Sequence, residues 1–145
     1  MRRLIMVSIA AAILLAVAAP VSARARTDVS ITVTTTFGQE ANPFTATGLL
    51  GCSSGLVYEG GAHLQFTPAL GLIAGYKVFD CGGDGNADFV VRLNARFGPF
   101  DPIGTWAVVA GWGDFASLGG AGRLTGDPFG DGSGVTDHYI GTLTR

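Results

Sequence analysis

The sequence predicts an all-β fold, an eight-stranded antiparallel β-barrel, and three observations carry that expectation. Apolar and β-branched residues alternate with polar ones at every second position in one segment after another. Each such segment ends in a turn rich in glycine or proline, and the chain holds 23 glycines, which suit turns and strand bends far better than helices. Beyond the N-terminal apolar run, no stretch of useful length carries the apolar stripe of an amphipathic helix, with its period of about 3.6 residues. Short strands in regular succession form a barrel or a sandwich. Sequential closure into a barrel leaves no exposed edge, so the barrel is the first expectation and a β-sandwich the alternative.

The first residues are read apart from the fold. Arg2 and Arg3 precede an apolar run over residues 4–19, Pro20 follows, and Val21-Ser22-Ala23 offers small residues where a signal peptidase cuts. This pattern predicts a secretory signal peptide over residues 1–23, with a second cut after Ala25, and a single domain over residues 24–145. The apolar run is shorter than the ~20 residues of a membrane span, so a secreted protein with no membrane attachment after cleavage is expected. Without Arg2 and Arg3 the nine basic residues fall to seven, against eleven acidic ones. Lys77 is the only lysine, and no basic cluster exists to neutralise phosphates, which argues against a nucleic-acid partner. Cys52 and Cys81, an even pair in an oxidising compartment, are expected to form a disulfide.

Residues 28–37 alternate cleanly, with Val29, Ile31, Val33, Thr35 and Phe37 on one face of a strand. Glu40-Ala41-Asn42-Pro43 reads as a turn, since Pro43 fixes its own φ and biases Asn42 toward extended backbone. Residues 44–50 and 55–59 form two short strands, the second broken by Gly60-Gly61, and residues 62–71 carry no clear signal. Residues 72–80 resume as a strand that ends at the second cysteine. After the CGGDGN turn, residues 87–97 place Phe89, Val91, Leu93, Ala95 and Phe97 on one face and Arg92, Asn94 and Arg96 on the other. The apolar row should face the core, because burying two unpaired guanidinium groups would be costly. Residues 104–126 read as strand, glycine-rich turn, strand, with Trp106, Val108, Ala110 and Trp112 sharing a face. Residues 126–134 form a loop, and a last strand over residues 135–144 sets Tyr139 and Leu143 opposite His138 and Ile140.

Few residues suggest chemistry. Asp80, Asp84 and Asp88 stand at positions one, five and nine of a glycine-bearing loop that resembles the calcium loops of secreted propeller repeats, so calcium is the one cofactor the chain suggests. Gly82 and Val91 stand where further oxygen ligands would be, and an Asp- and Gly-rich hairpin turn is the simpler reading. Asp127, Asp131 and Asp137 match no ligand spacing. His63 and His138 are far apart in sequence, and hydrolase, metalloprotease, nucleotide-binding and redox motifs are absent from the sequence. No catalytic residue is expected. Phe89, Val91, Leu93, Phe97, Trp106 and Val108 would line any interior cavity.

The segments RLNARF, GTWAVVAGWGDFASLGGAGRLTG and DHYIGTL together resemble small exported proteins of actinobacterial type whose function is unknown. The C-terminal half is similar to allene oxide cyclase and dirigent-like β-barrels, in which a strand leads into spaced glycines around an aromatic residue. Here those residues are Gly111, Gly113 and Phe115, then Gly119, Gly120 and Gly122. The resemblance spans roughly 50–60 residues and implies an eight-stranded antiparallel barrel. The families' catalytic residues find no matching motif in this chain. The function expected is therefore a secreted, non-catalytic barrel that holds a small apolar molecule. The alternatives are a cyclase or isomerase of the resembled type and a structural or surface-interaction protein.

Overall fold

The computed structural model describes residues 25–68, 70–98 and 102–145; the expected signal peptide lies outside them. The strands are β1 (Arg26–Thr36), β2 (Ala41–Thr47), β3 (Ser54–Phe66), β4 (Gly71–Asp80), β5 (Phe89–Phe97), β6 (Ile103–Gly111), β7 (Gly119–Pro128) and β8 (Gly134–Thr144). They pair antiparallel in chain order, and β8 returns to β1, closing an up-and-down barrel. Closure is long. Eleven residue pairs run from Arg26–Thr144 to Thr36–Gly134.

Inward positions follow the period-two reading over most of the wall. Val29, Ile31 and Val33 of β1, Phe89, Val91 and Leu93 of β5, and Tyr139 and Leu143 of β8 are all buried. Arg92, Asn94 and Arg96 face outward and are exposed, as the cost of burying guanidinium groups requires. The interior is packed with aromatic rings: Phe79 stacks on Phe89 with centroids 4.6 Å apart, and Phe44 and Tyr139 meet Phe79 edge-on at 5.1 and 6.2 Å. Trp106 closes the set, 6.3 Å from Tyr139. Its indole lies across the row Trp106–Gly122–Gly141 on β6, β7 and β8, and a methyl group at Gly141 would stand 2.8 Å from the indole Cζ2. Glycine on the neighbouring strands makes room for the largest side chain.

Local sequence logic fails at three places, each time through one irregularity. Asn42 and Pro43 belong to β2 rather than to a turn: the β1–β2 ladder stops at Val33–Phe44, so the missing N–H of Pro43 costs no bond there. The Asn42 side chain substitutes for the ladder, its Oδ1 accepting from the Thr36 backbone N–H at 2.8 Å. Gly60-Gly61 does not break β3. Both glycines stand opposite Tyr76 as a β-bulge between the pairs Glu59–Lys77 and Ala62–Gly75, with Gly61 at φ 103°. The third irregularity is in β6, where Val90 pairs with Ala110 and Val91 with Val108, leaving Val109 as an extra residue. Trp106 and Val108 therefore face inward as expected, whereas Ala110 leaves that face and Trp112 is half exposed. Phe37 lies beyond β1 and is likewise exposed instead of sharing its buried face.

Candidate ligand site at the barrel mouth

The two ends of the barrel differ. At the lower end Cys52 and Cys81 are bonded, with Cα atoms 5.2 Å apart, tying the β2–β3 turn to the β4–β5 turn. A 3₁₀ turn (Gly113–Phe115) lays Phe115 and Leu118 over the interior beside Leu49. A shallow space of about 60 Å³ remains there, lined by Leu49, Leu118, Leu143 and Arg145, enough for a water or two.

The acidic loop belongs to this closed end. Asp80 is fully buried, and its carboxylate accepts the backbone N–H groups of Gly82, Gly83, Asp84 and Gly85 at 2.7 to 3.3 Å. Asp88 accepts the Cys81 N–H at 2.7 Å. Asp84 accepts the Asn86 N–H at 2.9 Å, and that bond holds its carboxyl below the usual range. Among the described residues no three acidic, histidine or cysteine side chains converge on one point. The carboxylates organise the turn through N–H donors, which fits the hairpin reading. Asp131 does the same in the β7–β8 turn, where the Ser133 hydroxyl and N–H lower its pKa.

The upper end carries different chemistry. The bulge in β3 reverses the inward phase, so that Ala62, Leu64 and Phe66, not His63 and Gln65, pair with the inward residues Gly75, Ile73 and Gly71 of β4. Leu64 and Phe66 stay half or more exposed, and Phe66 meets Phe97 edge-on at 5.9 Å. Below this apolar rim lies a polar layer: Thr35 on β1, Asn42 on β2, Glu59 on β3, Lys77 on β4, and Asp137 and Tyr139 on β8. The Lys77 side chain is 7 % exposed, and its ammonium donates to the carboxylate of Glu59, whose side chain is 45 % exposed. Burial pushes the Asp137 carboxyl up to about 6; Lys77 opposes that rise, Glu59 adds to it, and His138 opposes it. Burial also holds the Tyr139 phenol well above its usual value, with Asp137 and Glu59 adding to the effect. The Tyr139 hydroxyl, Thr35 Oγ1 and Trp106 Nε1 are buried without a hydrogen-bond partner among the described residues. On the outer face, His138 Nε2 stands 3.0 Å from Asp127 Oδ2 and its Nδ1 3.4 Å from Thr32 Oγ1.

Of the six residues expected to line an interior, Phe89, Val91, Leu93 and Trp106 are buried in the packed middle and lower barrel, Val108 packs against them, and Phe97 stands at the mouth. The polar layer was not anticipated. Its signal was present in part: counting back by two from Phe79 passes through Lys77, and back from Tyr139 reaches Asp137. No protein-family model, curated protein or solved structure matches this chain.

Proposed function

We propose that this chain is an exported, non-catalytic barrel that binds a small molecule with an apolar body at its upper mouth. The observation that carries the reading is the inward-phase rim of exposed Leu64 and Phe66 and half-buried Phe97 above buried hydroxyls that no group among the described residues satisfies. Among the described residues this end lacks the apolar cover that Phe115 and Leu118 give the other. Ligand sites combine apolar walls with a few convergent polar groups, and barrel mouths are a recurrent place for them. The outward rows of β1 and β5 carry Ser30, Thr32, Thr34, Arg92, Asn94 and Arg96, which suits a barrel surrounded by water; a lipid-embedded barrel turns apolar residues outward.

Native mass spectrometry of the protein purified from its natural host tests this. A bound organic mass that Ile73→Glu, placed in the inward phase at the rim, releases is the expected result. A protein that is always empty favours the structural or surface-interaction reading. The cyclase or isomerase reading gains one observation, since Lys77, Asp137 and Tyr139 supply the interior polar groups that a templating enzyme requires. A bound molecule that changes in mass or isomeric form during incubation, rather than leaving unchanged, would move the protein to that class.

A further inference from the structure

We propose that the polar end of the bound molecule is a cationic amine and that Asp137 is its counter-ion. The inference rests on the mouth being a small-molecule site, and it comes from the charges and the unpartnered hydroxyls of the layer beneath the rim. Two carboxylates, Glu59 and Asp137, face one ammonium, Lys77. Lys77 is engaged by Glu59. Asp137 makes no hydrogen bond among the described residues, and its direct neighbours across the strands are Val33 on β1 and Gly126 on β7, neither of which carries a side-chain donor.

Among the described residues, the remaining charged and titratable groups around it are engaged elsewhere or uncharged at neutral pH. His138, the next residue on β8, is held on the outer face by Asp127 of β7 and Thr32 of β1. Tyr139, two residues along the same inward row, is close enough for Asp137 and Glu59 to raise its pKa. Among the described residues one interior negative charge is therefore unmatched, and interior charges are normally paired.

The unpartnered hydroxyls match an ammonium. Tyr139 is fully buried and its hydroxyl has no partner; Thr35, 6 % exposed and diagonal to Asp137 on β1, has an unpartnered Oγ1. A primary ammonium has three N–H donors, which one carboxylate and two hydroxyl oxygens can accept. An alcohol would satisfy hydroxyls but leave the charge unmatched. A carboxylate would add a third negative group to a layer holding one ammonium. The apolar body would then extend upward between Ile73, Leu64 and the Phe66–Phe97 pair.

The test uses three probes with one body, phenylpropylamine, phenylpropanol and phenylpropanoate, titrated into the protein near neutral pH and followed by calorimetry and by amide chemical shifts. The amine should bind about tenfold or more tighter than the alcohol, with the carboxylate weakest. Asp137→Asn should erase the preference for amine while leaving alcohol binding in place. In the unmodified protein, amine affinity should fall as pH drops through about 6, where Asp137 takes up a proton, while alcohol affinity stays level. Equal binding of the three probes, a preference for the carboxylate, or an amine preference that survives Asp137→Asn overturns the inference and leaves the mouth site standing. Binding by none of the probes overturns both.

Discussion

Asp137 stands on the inward face of β8 between Val135 and Tyr139, and the stability of the fold should respond to its proton. Its pKa of about 6 lies above the ordinary 3.8, so the native state binds that proton more tightly than the unfolded chain does. The resulting stabilisation is fully present below the unfolded value and is lost as pH rises through about 6. Its full size is on the order of 2–3 kcal/mol. Asp137→Asn should flatten this part of the pH dependence and make the variant more stable than the parent at neutral pH. Urea midpoints measured across the range check it; a variant that tracks the parent at every pH would contradict the assignment. A carboxylate retained at the expense of stability is what a binding group looks like. Lys77 teaches a related lesson. As the sole lysine of the chain it reads as a solvated charge, and only the strand phase, fixed by Phe79 two residues on, turns it inward.

At the scale of the strand, a single extra residue decides which side chains meet. In β6 the bulge at Val109 separates two tryptophans that simple alternation would place together. Trp106 is 2 % exposed and Trp112 50 %. Trp106→Ala should therefore cost about 3–5 kcal/mol in chemical denaturation, and Trp112→Ala no more than about 1 kcal/mol. Similar losses at both positions would mean that the bulge is misplaced. The bulge in β3 has the larger consequence for function. Without it, His63 and Gln65 would face the mouth; with it, Leu64 and Phe66 do. The long β5 row needed no such correction, because nine residues run without an irregularity in their pairing with β4.

For the whole molecule, the asymmetry between ends is the organising feature. One end is bridged by Cys52–Cys81, organised by the Asp80 turn and covered by Phe115 and Leu118; the other carries exposed Leu64 and Phe66 in the inward phase above a polar layer. Replacing both cysteines by alanine should lower stability by about 3–4 kcal/mol in the chain-entropy picture, since the bridge closes a loop of roughly thirty residues. Because the bridge lies at the opposite end from the mouth, binding of a mouth ligand to the folded variant should be unchanged. Equilibrium denaturation and a titration of the same variant give both answers. A lost affinity in a variant that remains folded would place the ligand at the closed end instead.

The amino-acid sequence by itself determined the strand number, the antiparallel order, the outward turn of Arg92, Asn94 and Arg96, and the pairing of the two cysteines. The first three follow from alternation, turn chemistry and the cost of burying charge, which act over a few neighbouring residues; the cysteine pairing follows from there being only two cysteines to join. The polar layer could not be read the same way. Its members lie on β1, β2, β3, β4 and β8, and come together only when the sheet closes between β1 and β8. The apolar rim depended on the β3 bulge, whose extra residue reverses the inward phase without leaving more than a glycine pair in the sequence. Tertiary structure decided the site because closure and bulges set phase across strands, and phase across strands has no local signal.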